Sequence, residues 1–484
     1  YQDEATLDAY SKLSFHPINL TLTLYNREAR NLSMTWRTIA YLPNFEAQVG
    51  GNKKYNADEK LNDFHYVLNH VLTNLRSMQS NTGLNWNFIF KSYPNKIFPR
   101  KLIFRFSHII SDAKENDMIC GRMSNRSKTT RLCCDCDILV EESDDPTKKC
   151  NFLSMYDIQR MNAEGLKNMS FKKIEPHNAF RYMNFGNNPY GINGATPAEP
   201  LHQILGGVVE RLPSTLLDRL SEVQVKLLDN HASLIAIHFS RQSDRDFYSL
   251  RLFKNGISSV SKLTSKEKAS RLLIIYLTLL TTDFEKEVCN KRARKPRDDD
   301  DNTQGPIITR NEYNAWVLIF EETMILVQWV YLEEHPKAVF KGGRKSVAAT
   351  RLRSYMELYK SSAHRKTGMG LKILKFHQIS HLWWIIRIFG SLLNVDSGRG
   401  EHSHKKKKKI GSHTQKRVQC FNEQTAHSEY VNDTFLKAMK KIGLQLSSGF
   451  EMITPNSDCK QTVDERREKV RNKVINQDYG SKFL

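Results

Sequence analysis

Cys133 and Cys136 are separated by two residues. At that spacing two thiolates can reach one Zn²⁺ from a tight turn, each about 2.3 Å from the ion. A structural zinc needs two further ligands. Cys120 and Cys150 are the nearby candidates, and His377 and His381 the distant ones. The two histidines stand four residues apart on a predicted helix, so both imidazoles project from one face. Plainer readings remain beside this one: a pair of buried free thiols, and a histidine pair that packs in the core of a Leu- and Trp-rich helix. A redox pair fits less well, because no thioredoxin-like strand and helix flank the cysteines. The chain has eight cysteines. Their crowding between Cys120 and Cys150 reads as a metal site of the cell interior rather than a disulfide framework.

The second set is acidic. Asp112 follows an apolar run, Lys101–Ile110, and Glu401 stands in Gly400-Glu-His-Ser-His404. Asp3 and Asp8 precede the first strand pair, and Asp396 competes with Glu401. Three convergent carboxylates can hold two Mg²⁺ (or Mn²⁺) ions about 3.5–4 Å apart, one activating an attacking oxygen and the other stabilising a leaving oxygen. Hard oxygen ligands suit Mg²⁺, which keeps part of its water shell for a substrate phosphate. With 52 acidic residues in the chain, no single carboxylate is informative alone.

These residues depend on the elements that carry them. Residues 17–25 alternate apolar and polar side chains and read as a strand, as does 36–42, stopped by Pro43-Asn44. Leu61, Phe64, Val67, Leu68, Val71, Leu72 and Leu75 recur at helical spacing and predict a helix over 57–78. Lys101–Ile110 predicts a strand ending near Asp112. Helical patterns follow over 214–230, 263–286, 311–333, 345–361 and 371–390, the last closed by Gly390. No apolar run reaches the roughly 20 residues a membrane span needs, so no membrane partner is expected.

With 484 residues the chain is long enough for two to four compact units. Its 73 Lys and Arg against 52 Asp and Glu give a net charge of +21, which draws it to polyanions, nucleic acid first. Hydrophobic residues make up 39%, enough for a core, and exclude wholesale disorder. Basic residues concentrate at Lys291–Arg297, ahead of four aspartates, and at Lys405–Lys409. The first reads either as a solvated loop of opposite charges or as a nuclear-import signal. The second reads as a phosphate-binding patch or a solvated loop. Trp383-Trp384 reads as core or as a base-stacking pair. The sequence opens at Tyr1 rather than Met, and we expect further chain upstream.

Read together, several segments resemble the transposases of CACTA-type and Plavaka-type (CMC group) DNA transposons. Asp3-Glu-Ala-Thr-Leu-Asp8, Phe15-His-Pro-Ile-Asn-Leu-Thr-Leu22 and Trp36-Arg37…Tyr41-Leu42-Pro43 look like the family's opening strands. Ile110-Ser-Asp112 through Cys120-Gly121 resembles the segment with the second acid, and Arg131-Leu-Cys133-Cys-Asp-Cys136-Asp137 its cysteine motif. His177-Asn-Ala-Phe180 and Tyr190–His202 look like the lead into a helical insertion, with Asn193 where the family has His. Lys375-Phe-His377-x-x-x-His381 and Gly400-Glu401-His402-x-His404-Lys405 look like the closing helix and third acid.

The resemblance covers roughly residues 1–430, with only helical pattern visible across 210–360. It implies an α/β chain with an RNase H-like mixed-sheet core, interrupted by a zinc segment and a large all-helical insertion. The implied divisions are 1–112, the first part of the core; 113–205, the Cys-rich zinc segment; 206–365, the helical insertion; 366–445, the closing part of the core; and 446–484, a charged tail. It implies Asp3, Asp112 and Glu401 as catalytic Mg²⁺ ligands and Cys133, Cys136, His377 and His381 as structural Zn²⁺ ligands. The implied activity is cutting and joining DNA phosphodiesters at transposon ends, by a nuclear homo-oligomer acting on double-stranded DNA. A decayed or domesticated DNA-binding zinc protein without catalysis is the alternative.

Overall fold

The computed structural model describes residues 14–23, 35–43, 56–80, 83–90, 92–123, 132–175, 177–242, 263–289, 308–363, 369–398, 407–414 and 420–441, with short pieces at 5–6, 30, 253, 255–258, 445–446 and 452–453. Asp3, Asp8, Glu401 and the Lys291–Asp301 stretch lie outside the described residues. The chain is mixed α/β and dominated by helix, with small antiparallel sheets. It divides into two compact units, 1–5 with 15–403 and 6–14 with 404–484.

Strand β1 (Ser14–Leu20) pairs antiparallel with β2 (Arg37–Leu42), His16 opposite Leu42, with a register shift between Ile18 and Asn19. Helix α1 (Ala57–Val71) starts where Asn56 accepts the Asp58 N–H, and α2 (Thr73–Met78) follows after a break at Leu72. Phe64 and Leu68 of α1 pack with Leu42, Ile109, Ile119, Phe180 and Ile192 in one apolar cluster. Strands β3 (Leu84–Phe90) and β4 (Tyr93–Leu102) form an antiparallel hairpin.

The strand expected over 101–110 is displaced. β4 ends at Leu102, and residues 103–112 run without a strand partner. Single backbone bonds hold this stretch instead: Phe106 N–H to Asn184 O (2.9 Å) and Ile109 N–H to Ala195 O (2.7 Å). His108 adds a contact from Nε2 to the Asn394 carbonyl at 3.3 Å. Its apolar residues pack under irregular chain rather than beside a second strand, which an apolar run cannot distinguish.

Asp112 caps α3 (Ala113–Cys120), and Gly121, at φ 71°, closes it in the left-handed conformation that glycine adopts without strain. After Pro200 a π-helix (Leu201–Val208) leads into the Val209–Leu217 helix. Longer helices follow: Glu222–Gln242, Ser265–Leu279, Arg310–Val330 and Val347–Ser362. Thr264 with Glu267 and Thr309 with Glu312 form capping boxes that start the second and third of these. The pattern read as one helix over 263–286 is two, split at Leu280-Thr281 before Thr282–Cys289. The pattern over 371–390 is α-helix Leu374–His377, a 3₁₀ turn Gln378–His381 and α-helix Leu382–Phe389, ended by Gly390 at φ 77°. One apolar cluster runs from Ala198 to Val395 and includes Phe320, Tyr359, Phe376, Ile379 and Leu382. Among the described residues no helix is long and apolar enough to cross a membrane.

In the other unit, Lys407 is buried and paired with Glu429 of the Phe421–Lys441 helix at 2.8 Å. That lysine of the Lys405–Lys409 run is therefore neutralised within the fold. Trp383 and Trp384 both pack against the large helical core.

Candidate metal centre

The cysteine segment folds as a bent, doubly bridged loop, with bends at 133–135 and 137. Leu132 pairs with Leu139 and Cys136 with Phe152, both antiparallel. Cys133 N–H donates to Ile138 O and Asp137 N–H to Asn151 O, each at 2.9 Å. The Asp137 carboxylate accepts from the Asn151 backbone N–H and from its Nδ2, both at 2.7 Å. The bridge from Leu132 to Leu139 reverses the chain across the cysteines, and the bends at 133–135 set which thiols share a side.

This local geometry decides the ligand set. Cys134 and Cys136 turn the same way and meet His377 and His381, all four buried, with donor atoms within 4.8 Å of one another. Cys133 lies outside this group, its buried thiol against Ser143. The structure thus brings together three of the four expected ligands and puts Cys134 in the place of Cys133. Cys120 is also outside, 3.4 Å from the Thr196 hydroxyl.

The histidines come from the helical side. Phe376, Ile379 and Leu382 anchor their turn in the large core. Phe152, next to the cysteine loop, stacks against His381 at 4.8 Å and Trp384 at 4.4 Å between ring centroids. Arg344 Nη2 donates to Asn151 Oδ1 at 2.9 Å, a second tie between loop and helices.

The donor separations suit one small cation. Cys134 Sγ to Cys136 Sγ is 3.3 Å, Cys134 Sγ to His381 Nε2 3.4 Å, Cys136 Sγ to His377 Nε2 3.3 Å and Nε2 to Nε2 3.1 Å. Tetrahedral zinc at ordinary bond lengths sets such edges at about 3.8 Å (S–S), 3.6 Å (S–N) and 3.3 Å (N–N). Burial pushes both thiols well above their usual range, and burial with the neighbouring His377 holds His381 well below its own. Two imidazoles with their Nε2 atoms 3.1 Å apart face two buried thiols, an arrangement with no compensating partner of its own among these four side chains. A divalent cation supplies one, deprotonating the thiols and accepting both nitrogen lone pairs. The group could therefore hold a metal such as zinc, in a set of four protein ligands with no open position for catalysis.

Cys150 stands beside this group. Its half-buried thiol lies 3.6 Å from His381 Nε2, and with Cys136 and exposed Asp137 it forms a second donor group. Behind the loop, Arg122 and Asp117 form a buried ion pair at 2.8 Å. Burial raises the Asp135 carboxyl, and the charge of Arg122 opposes that shift.

Of the acids expected to bind Mg²⁺, Asp112 alone is described. Its Oδ1 accepts the Glu115 N–H at 2.8 Å; its other oxygen makes no hydrogen bond among the described residues. Sequence reading passed over the buried acids around it. Glu115 lies 3.2 Å from His16 Nε2, joining α3 to β1. Glu199 is buried and bonds five ways: it accepts from the Leu201 N–H (2.9 Å), the His202 N–H (2.6 Å), the Ser397 N–H (3.3 Å) and the Ser397 hydroxyl (2.9 Å), and touches His202 Nδ1. An acid directly before Pro200 at a helix start was the available signal. Asp396 turns inward to accept the Gly398 N–H at 2.6 Å. Asn193 is buried, its Nδ2 donating to Leu153 O at 3.1 Å.

These sites define a helix-rich α/β protein with a buried Cys₂His₂ group that could hold a metal such as zinc. No family model matches the chain, and no curated protein matches it significantly.

Proposed function

We propose that the chain is a DNA transposase of the two-metal carboxylate-triad type, built on an RNase H-like core and working in the nucleus as a homo-oligomer on double-stranded DNA. One observation carries most of this reading. The Cys134/Cys136/His377/His381 group joins the loop that follows Asp112 and α3 to the helix turn that precedes Glu401. A brace between these two segments is what an enzyme needs when its acids come from distant parts of the chain. A net charge of +21 supplies affinity for the DNA backbone.

In this reading Asp3, Asp112 and Glu401 hold Mg²⁺ or Mn²⁺, which supplies activated oxygen for in-line attack on a phosphodiester. Asp112 is set by the chain itself: one oxygen caps α3, fixing the side chain, while the other stays available. The zinc ligands take no part in chemistry and hold the register of the segments.

Plasmid nicking tests the proposal. The chain, loaded with zinc, is given supercoiled DNA with Mg²⁺ or Mn²⁺ and compared with Asp112→Asn. Asparagine caps helices as well as aspartate does, so this change removes the charge and keeps α3. Nicking that disappears in the variant supports the reading. Nicking at equal rates, or none from folded and zinc-loaded protein, refutes active transposase chemistry.

A further inference from the structure

The β3–β4 hairpin stands apart from the cores just described, and its composition is unusual for the surface it exposes. From Gly83 to Ser111 the sequence holds Lys91, Lys96, Arg100, Lys101 and Arg105 and no acidic residue. Lys96, Arg100, Lys101 and Arg105 are exposed and have no acidic partner among the described residues. Trp86 is 53% exposed, Ile89 62%, Tyr93 60% and Ile97 59%. Among the described residues, none of β3 or β4 enters the two large apolar clusters.

The register sorts these side chains. Trp86 faces Arg100 across the ribbon, Phe88 faces Phe98, and Leu84 faces Leu102. Alternation places all six on one face, so this face carries three aromatic rings edged by a guanidinium. Lys96 Nζ lies 5.2 Å from the Phe98 ring centroid, adding an ammonium beside it.

We infer that this ribbon binds single-stranded DNA, the rings stacking on unpaired bases and the cations following the phosphates. Aromatic platforms flanked by positive charge bind single strands in this way, because every base offers a π-face. A second copy of the chain is a poor occupant. Pro94 and Pro99 lie within β4, where they withhold ladder donors and blunt the edge against added strands. Two ribbons of the same charge also repel.

The inference shares with the transposase reading only a DNA partner, and its test involves no cleavage. Fluorescence anisotropy of a labelled oligo-dT is followed with the full zinc-loaded chain in the Asp112→Asn background, without added Mg²⁺. Trp86→Ala should weaken binding about tenfold, and Trp86→Phe should restore most of it. Joint Lys96→Gln and Arg100→Gln should make the slope of log affinity against log salt shallower by about 1.4, from roughly 0.7 per phosphate contact. An unchanged thermal midpoint shows that these exposed changes leave the fold intact. Equal affinity for Trp86→Ala and the parent overturns the inference. So does a variant that loses binding only to phosphatidylserine vesicles or only in self-association. Plasmid nicking that fails while oligo-dT binding follows this pattern would remove the transposase reading and leave the ribbon's role standing.

Discussion

Replacing Cys134 with alanine and replacing Cys133 with alanine should have opposite signatures, although both thiols are buried and adjacent. Cys134 belongs to the metal-binding group and Cys133 does not. A metal that binds only the folded chain stabilises it by RT ln(1 + [Zn]/Kd), about 2.7 kcal/mol when free zinc is buffered at 100 times the parent's Kd. If losing one thiolate weakens the site about 100-fold, the variant gains only about 0.4 kcal/mol at the same free zinc. The zinc-dependent deficit of Cys134→Ala is therefore about 2.3 kcal/mol; it should vanish when zinc is withdrawn from both proteins, leaving only the roughly 1 kcal/mol of a lost small buried side chain. Cys133→Ala loses a small buried side chain, about 1 kcal/mol, with or without zinc and with Kd unchanged. Cys150 sits against His381 and can stand in for a missing thiolate. Cys134→Ala with Cys150→Ala should thus bind more weakly still. Competition titration with a chromophoric zinc chelator measures each Kd, and zinc-buffered denaturation measures each gain. A weakened site in Cys133→Ala with an intact one in Cys134→Ala would refute the geometric argument.

Further expectations concern the frame around the site. His65 is buried, with Nδ1 accepting the Ala179 N–H and Nε2 donating to Met118 O, and burial pushes it down to about 4. The unfolded chain therefore takes up this proton first. Stability is full above the ordinary histidine value of 6.5 and is lost as pH falls from there toward 4, about 2 kcal/mol of it by pH 5. Urea unfolding at pH 7.5 and 5 checks this, and His65→Gln should reduce the difference by that amount. Arg122→Met removes the buried guanidinium that pairs with Asp117 at 2.8 Å and should cost about 3–5 kcal/mol, much of it recovered by adding Asp117→Leu. Glu199→Ala removes the acceptor of the Leu201 and His202 amides and of Ser397. It should cost about 2–3 kcal/mol and speed hydrogen exchange at those two amides.

What the sequence makes legible follows from how local each determinant is. The helix face of Phe64 and Leu68 and the stop at Gly390 are readable because periodicity and capping are local. The paired His377 and His381 were readable for the same reason. The choice between Cys133 and Cys134 was not. Spacing of the C-x-x-C kind points to the first and last thiols of a turn, whereas here the bends at 133–135 bring Cys134 rather than Cys133 to Cys136 and the histidines, and nothing in the spacing reports that. The run over 101–110 failed similarly: burial under residues 184, 195 and 394 makes it apolar, and nothing within the run reports that no strand lies beside it.

The same distinction bears on the role of Asp112. Seen alone it is a helix cap, and a cap explains its position without any chemistry. A functional role becomes worth testing because of what lies on either side of it. The cysteine loop just beyond α3 is fastened to the helix turn before Glu401 by ligands 241 residues apart, Cys136 and His377. By the chain-entropy argument, closing a loop of that length costs roughly 5–6 kcal/mol, so neither half-site should hold metal strongly until the rest of the fold has brought the halves together. Occupied, the group makes the separation between those segments insensitive to motion in the long helical stretch between them. In the transposase proposed above, with acids on both segments, such a constraint would keep them in register, which is why the charge of Asp112, rather than its cap, is the property to remove.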